Sequence, residues 1–373
     1  MKTIDKHRFC LYYMDAIESA LTRKLQQQDP MEKLTLEDVA KLAGVHRSTV
    51  SRVINDSPNV SPEVRKRVQK VVQSTGYLPN AAARSLASQR SNMIGLVLPR
   101  SVSSFFTDPF FPQLTQGIAF GCNNNNQTLS LFLAGNREDE EKILPRISRR
   151  GFLDGILIQA GRPEELLIDR LTRSNIPNVI IGRPFISDGL SFIDIDNINA
   201  AQKGTRHLIE LGYQRIATIT GNHDSTVTID RLEGYKKALN EAGREFDPEM
   251  VAEGDFSELS GYRAMKTLLA KKPDALFVQS DIMAVGAMRA MQEIGIRTPE
   301  DVAIVGFDDI PIARQLEVKL TTIKQPITRF GIKAVELLID LIENGTKPAR
   351  RIILDTELVI RDSCGAKKLR EHA

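Results

Sequence analysis

What the chain lacks narrows its chemistry first. Only three cysteines occur in 373 residues: Cys10, Cys122 and Cys364. They are odd in number, far apart and never in CxxC pairs, so neither a disulfide framework nor a zinc site is supported. The five histidines, His7, His46, His207, His223 and His372, fall into no metal-ligand spacing. His207 lies in a helical stretch beside Leu208 and Ile209 and reads as structural. No apolar run approaches about 18 residues, so no membrane span is expected. The N-terminus lacks the short apolar core of a signal peptide, which makes the cytoplasm the default location. There is no GxxxxGKS/T, HExxH or GxSxG motif. An enzyme is therefore not expected, nor a cofactor or metal.

Net charge is also nearly absent, at +3, but its distribution is uneven. Between Met31 and Ser91 there are ten basic and five acidic side chains, a net +5, which leaves −2 elsewhere. A basic front on a near-neutral body points to a polyanion partner for the front alone.

Thr35 to Asn55 reads as two short helical periods joined at Ala43-Gly44-Val45. Thr35 is a good N-cap, and Asp38 three residues on makes an approximate capping box, with Asp in place of the usual Glu. Leu36, Val39, Ala40 and Ala43 share one helical face. Gly44 permits the sharp turn. A second helix from Arg47 to Asn55 turns Val50, Val53 and Ile54 inward and leaves Arg47, Ser48, Ser51 and Arg52 outward. This is the form of a DNA-binding helix-turn-helix, and equally of an ordinary helical hairpin. Ser61-Pro62-Glu63 then starts a third helix, with Ser as N-cap and Pro at its first position, and Gly76 is placed to end it. Leu36, Val39, Val50, Val53, Val68 and Val71 can close a small core. Asn80 can cap a short Ala-rich segment, Ala81 to Ala87, whose one prominent apolar residue is Leu86. A helix under three turns is marginal alone in water, so this one forms when DNA or a partner orders it, or is a plain linker.

From Asn92 the texture changes. Met93–Leu98 is a short apolar run, followed by Pro99 and a polar loop. Strand-like runs at 128–133, 155–159, 178–181, 192–195, 215–220, 275–279, 302–306 and 320–323 then alternate with helical patterns at 113–124, 200–211, 231–242, 261–270 and 281–294. That alternation predicts parallel, doubly wound sheets. The units are too many for one compact sheet, so two lobes are expected, with a ligand cleft where strand-end loops face each other. The division is 1–30, an N-terminal extension; 31–79, a headpiece; 80–91, a hinge; 92–363, a two-lobed ligand-binding and dimerisation domain; and 364–373, a tail. The extension is either an extra amphipathic helix or upstream sequence from a mis-assigned start at Met1 instead of Met31.

TLEDVAKLAGVHRSTVSRVIN, VSPEVRKRV and GYLPNAAARSLA together resemble the headpiece and hinge of the lac repressor/galactose repressor family. The resemblance continues through DPFF, IDIDN, HLIELGYQRIA, RLEGY, SDIMAVGAM, TPEDVAIVGFDD and LTTIKQP, and covers roughly Met31 to Asp362. It implies a dimeric or tetrameric transcription regulator: an all-α helix-turn-helix headpiece on an α/β, periplasmic-binding-protein-like effector domain. The expected partners are a palindromic double-stranded DNA operator, a small-molecule effector of sugar type, and a second copy of the chain, with no membrane.

By that resemblance Arg47, Ser48 and Arg52 read base edges, while Thr35, Thr49, Ser51 and Asn55 position the backbone. Thr49 and Asn55 equally suit packing and capping. His46 departs from the family, where Ser usually fills that N-cap; it implies a local contact without specificity. In the hinge, Asn80 and Ala83 lie on the DNA side, and Leu86 matches a minor-groove wedge.

In the effector domain, Phe110 and Phe111 match aromatic positions that stack on a ligand ring, one of the two packing in the core instead. Arg231 matches an arginine gripping ligand hydroxyls, and Asp308 an acid accepting them. Ser280 matches a polar cleft residue, Gln325 a polar residue at a lobe crossover, and Arg183 a weaker contact. Asp281 reads as the N-cap of the following helix. This set suits a neutral polyhydroxyl ligand. A purine is the competitor within the family, and a sugar-binding protein without a regulatory role is the alternative outside it. Nothing after Asp362 resembles a heptad tetramerisation helix.

Overall fold

The first helix starts where its capping chemistry places it. The Thr35 hydroxyl accepts from the Asp38 amide at 3.3 Å, and Asp38 Oδ2 accepts from the Thr35 amide at 3.0 Å. This is the reciprocal box, with Asp in the Glu position. In this computed structural model residues 34–54, 57–77, 90–160, 170–171 and 173–366 are described. The expectations for the 1–30 extension, for Asn55 and for the hinge residues Asn80, Ala83 and Leu86 lie outside them. Two compact units divide the chain, Met1–Ser88 and Gln89–Ala373.

In the first unit, α1 (Leu36–Ala43) ends at Gly44, whose φ of +61° suits a residue without Cβ. Then come α2 (Arg47–Ile54) and α3 (Pro62–Thr75). Ser61 occupies the N-cap position of α3, but its hydroxyl makes no capping bond. Pro62, pre-set for the first turn, and the Arg65 amide on the Ser61 carbonyl at 3.0 Å start that helix instead. Val39, Val50, Val53 and Val68 are buried together with Ala40 and Ala43. Leu36 and Val71 are only half-buried, and Tyr77, just past the α3 cap, fills the remaining space.

The second unit contains two six-stranded sheets. The first is all parallel, in the order β11-β5-β4-β3-β1-β2: β1 (Met93–Leu98), β2 (Thr128–Leu133), β3 (Gly155–Gln159), β4 (Asn178–Ile181), β5 (Phe192–Ile195) and β11 (Arg351–Leu354). The second runs β12-β10-β9-β8-β6-β7: β6 (Ile216–Thr220), β7 (Val251–Glu253), β8 (Ala275–Val278), β9 (Ala303–Asp308), β10 (Thr321–Lys324) and β12 (Glu357–Val359). Here β12 alone pairs antiparallel, at the edge beside β10.

Helices cover both faces of each sheet. In the first lobe α5 (Phe110–Asn124) and α12 (Ile327–Asn344) share one face, and α6 (Arg137–Ile147) packs on the other through Leu144 and Ile147. In the second lobe α7 (Asn197–Glu210) and α8 (Thr226–Glu241) oppose α9 (Glu258–Leu268) and α10 (Asp281–Gln292), and the one-turn α11 (Ile312–Gln315) follows β9. This is the doubly wound, two-lobed architecture the strand pattern implies.

Several elements depart from the sequence reading. The polar loop after Pro99 contains a short helix, α4 (Val102–Thr107), capped by Ser101 on the Ser104 amide at 3.2 Å. The edge strands β7, β11 and β12 are three or four residues long, too short to show periodicity. The reading also singles out neither α6, a mostly charged helix with Pro145 inside, nor α12, whose apolar face includes Phe330, Val335, Leu338 and Leu341. The chain stays in the core past the expected start of the tail. Cys364 and Ala366 are buried, with Cys364 Sγ 3.4 Å from His207 Nε2 and its carbonyl accepting from the Tyr213 hydroxyl. His207 is thus structural, as read.

Candidate functional site

Two sets of side chains stand out, one in each unit. In the first unit, Arg47, Ser48 and Arg52 are exposed on α2, while Thr49 and Ser51 are half-buried at its flank. Arg47 has a loose contact with Glu37 at 3.9 Å, and both side chains are 67% exposed, so the guanidinium is not committed. Thr35 is engaged in its capping box. His46 does more than fill space. Its Nδ1 accepts from the Ser48 amide at 3.3 Å and lies 2.9 Å from Ser48 Oγ, so the imidazole itself caps α2.

The second set lines a cleft of about 590 Å³ in the second unit. Its walls come from the carboxyl ends of strands in both lobes: Arg100 after β1, Gln159 at the end of β3, Asp194 in β5, Phe256 after β7, Asp308 at the end of β9 and Gln325 after β10. This is where open α/β sheets place ligands.

Arg231, on α8, is at its centre and is 5% exposed. Nε donates to Asn197 Oδ1 at 2.9 Å, Nη1 donates to the Gln279 carbonyl, and the guanidinium stacks on Phe307 with Cζ 3.6 Å from the ring centre. Asp194 orients this arrangement from behind. It accepts from Asn197 Nδ2 at 3.2 Å and from the amides of Arg183 and Ile195. Among the described residues Nη2 of Arg231 donates to no protein acceptor. The arginine is therefore a rigid, half-used fork and not a surface ion pair.

Asp308 faces Arg231 at 3.8 Å and accepts from Gln325 Nε2 at 2.6 Å. Burial pushes its carboxyl up to about 7; Arg231 opposes that rise and Asp108 adds to it. Burial also raises Asp194, to about 6, and Asp108. Asp308 and Asp309 both have left-handed backbones, with φ of +115° and +57°. That strained turn is held by Asp281 Oδ2 accepting from the Ile310 amide and by Arg361 pairing with Asp309.

The aromatic pair divides its work. Phe111 is 2% exposed under Arg100, whose Cζ lies 4.1 Å from its ring centre, whereas Phe110 is half-buried and edge-on to it at 5.3 Å. Both border the cleft, and Phe110 is the one with surface to offer. Phe256 supplies an aromatic on the other wall, which sequence reasoning missed. Its φ is +67°, and its ring lies against Gly221 so closely that a Cβ there would meet it at 2.0 Å.

Two expectations need correction. Arg183 does not line the cleft. Its guanidinium donates twice to Asp230, at 2.9 and 2.6 Å, tying the turn after β4 to α8 across the lobes. Asp281 is not the N-cap of α10. Ser280 is, accepting from the Met283 amide at 3.3 Å from an extended backbone, while also lining the cleft. Asp281 turns inward to accept from Thr322 Oγ1 at 2.6 Å, and burial raises its carboxyl well above the usual range. Among the described residues no group of His, Cys, Asp and Glu could hold a metal, and no helix is long and apolar enough to cross a membrane.

Residues 35–80 match the family described as bacterial regulatory proteins, lacI family, and residues 205–364 match the periplasmic binding protein-like domain. The HTH-type transcriptional regulator CelR of Thermobifida fusca is 38% identical over 333 residues, 88% of this chain and 98% of that protein. The HTH-type transcriptional repressor PurR of Aliivibrio fischeri is 34% identical over 334 residues, with the same coverage of 88% and 98%. The solved CelR–cellobiose complex is similar with a TM-score of 0.71 at 36% identity, covering 89% of this chain and 100% of that one. The lac repressor dimer bound to operator and the anti-inducer ONPF gives 0.77 at 27% identity, covering 89% and 99%.

Proposed function

The chain belongs to the lacI family of bacterial regulatory proteins, and from that premise we propose that it is a repressor of carbohydrate-utilisation genes whose hold on DNA is set by a sugar in the cleft. It acts in the cytoplasm as a homodimer on a palindromic operator, and no catalytic step is involved. In each protomer α2 lies in the major groove, where Arg47, Ser48 and Arg52 face base edges and Thr35, His46, Thr49, Ser51 and Asn55 flank the phosphates. Asn80, Ala83 and Leu86 form the hinge, with Leu86 as the minor-groove wedge.

The observation that carries the effector reading is the Arg231–Asp308 arrangement. A rigid fork with an unused nitrogen faces a carboxylate, flanked by Ser280 and Gln325 and by aromatic surface from Phe110 and Phe256. Polyhydroxyl rings bind to such groups by stacking and charge-assisted hydrogen bonds. The volume of about 590 Å³ is ordinary for a small-molecule site. The lining includes acids Asp108, Glu140, Asp194, Asp224 and Asp308 against bases Arg100, Arg137 and Arg231, which disfavours a phosphorylated sugar. Because the CelR relative is solved with cellobiose, a neutral disaccharide is the first ligand to try. Bound sugar favours one lobe arrangement, which sets the spacing of the two hinges and so the operator affinity.

The test is calorimetric titration of the full chain with cellobiose, other neutral mono- and disaccharides, sugar phosphates and nucleobases. Saturable binding of a neutral sugar that also shifts operator affinity is expected. A nucleobase hit with every carbohydrate silent would overturn the sugar reading and favour the purine one.

A further inference from the structure

His46 precedes α2 and its imidazole folds back onto the first turn of that helix, with Nδ1 3.3 Å from the Ser48 amide nitrogen and 2.9 Å from Ser48 Oγ. The backbone N–H can only donate, so Nδ1 is an acceptor here and carries no proton. The hydroxyl at the same nitrogen must then be a donor too. A serine hydroxyl has one proton and two lone pairs. With its proton held by His46, Ser48 has only lone pairs left for anything that approaches the exposed face of α2.

We propose that His46 is a specificity-determining positioning residue: by fixing the hydroxyl proton it makes Ser48 an obligate acceptor, which selects a base presenting a major-groove N–H. Those bases are adenine, through its N6 amino group, and cytosine, through N4; every base pair carries one of the two, so the selection is for the pair that sets its amino group on the strand Ser48 faces. Guanine presents N7 and O6, and thymine O4, all acceptors that a lone pair cannot engage. The proposal rests on the assignment of α2 as the DNA-reading helix.

A serine in place of His46 would not fix this polarity. Its hydroxyl can accept from the amide and still donate its own proton, so the Ser48 hydroxyl could turn either way. An asparagine would fix it, because its side-chain carbonyl is an acceptor only. Both residues are good N-caps, so neither substitution is expected to unfold the headpiece.

The experiment is selection of bound duplexes from a randomised operator pool by the full chain and by three variants: Ser48→Ala, His46→Ser and His46→Asn. Circular dichroism checks that each variant is folded. Ser48→Ala should flatten the preference at one base pair per half-site and so identify the position Ser48 reads. At that position the wild type should favour one base pair in one orientation by about two- to tenfold, the range of one net hydrogen bond. His46→Ser should lose most of that preference and His46→Asn should keep it, with the positions read by Arg47 and Arg52 unchanged in both. The proposal is overturned if Ser48→Ala flattens no position. It is likewise overturned if His46→Ser keeps the wild-type profile at that position, or if His46→Asn loses it. Failure of the wild type to enrich any sequence would instead overturn the DNA-reading assignment, and this proposal with it.

Discussion

The headpiece and the cleft offer their functional groups in opposite ways. On α2 the outward side chains come from one stretch of eight residues and stand in solvent. In the cleft, Arg231 and Asp308 are buried, come from different elements, and are aligned by hydrogen bonds among neighbouring side chains, with Asn197 bonded to both Asp194 and Arg231 and Gln325 to Asp308. An exposed charge works in high dielectric and is screened within about 8 Å at physiological salt, whereas a buried pair is screened far less. The two sites should therefore respond to different variables.

Salt gives the largest contrast. Binding to DNA through about six phosphate contacts should weaken by about 10³ between 50 and 200 mM salt, while sugar affinity should change by less than about twofold. Fluorescence anisotropy of a labelled operator and calorimetry of the sugar, over the same salt series, check this. A flat DNA response would remove the electrostatic basis of the headpiece reading.

Next in size is Arg231→Ala. A hydrogen bond from a charged group contributes about 1.5–3 kcal/mol, so sugar affinity should fall by at least about tenfold. Sugar-free operator binding should remain, because the exposed face of α2 is untouched. Sugar affinity within threefold of the wild type would show that the fork is structural only.

The smallest effect sharpens the contrast through pH. Asp308 is held up to about 7 from an ordinary 3.8 by burial. A sugar hydroxyl donates more strongly to the ionised form, in a charge-assisted bond. Affinity should thus fall below pH 7, by at most about tenfold per unit, level off above it, and be accompanied by proton release near neutrality. Asp308→Asn should abolish the dependence. For folding the sign is reversed: the native state holds the proton more tightly, so this group's contribution to stability is lost as pH rises from about 4 to 7. Calorimetry in buffers of different ionisation enthalpy measures the proton, and proton uptake on binding would invert the assigned role of Asp308.

What the sequence reveals divides along the same line. The headpiece is local: a cap, a glycine turn and apolar spacing fall within one continuous stretch, and the core of Val39, Val50, Val53 and Val68 can be read from it. Even there, the capping by His46 depends on a ring rotamer that spacing does not encode. In the effector unit, parallel strands are continuous apolar runs and so are visible, but the cleft is assembled from the ends of strands far apart in the chain. Arg231, Asp308 and Gln325 were identified only through resemblance. Asp194 and Asn197 lie in the quoted IDIDN motif, yet no local pattern shows that they orient Arg231. Phe256 carries no motif at all; its left-handed φ after Gly254-Asp255 appears only in the fold. Ser280 and Asp281 are both capping residues, and which one caps depends on where β8 ends.

The chain crosses between the two sheets three times: after β5 into α7, after β10 into α12, and between β11 and β12. Neither lobe is a continuous piece of polypeptide. The first sheet waits for residues 351–354 to gain its edge strand, and the second for residues 357–359. During synthesis, neither lobe can reach its final form until nearly all of the chain has left the ribosome, so the two should mature together rather than one after the other. A single cut at one crossing would still leave the lobes joined by two others, which gives this regulator a tolerance to nicking that a two-domain protein with one linker lacks.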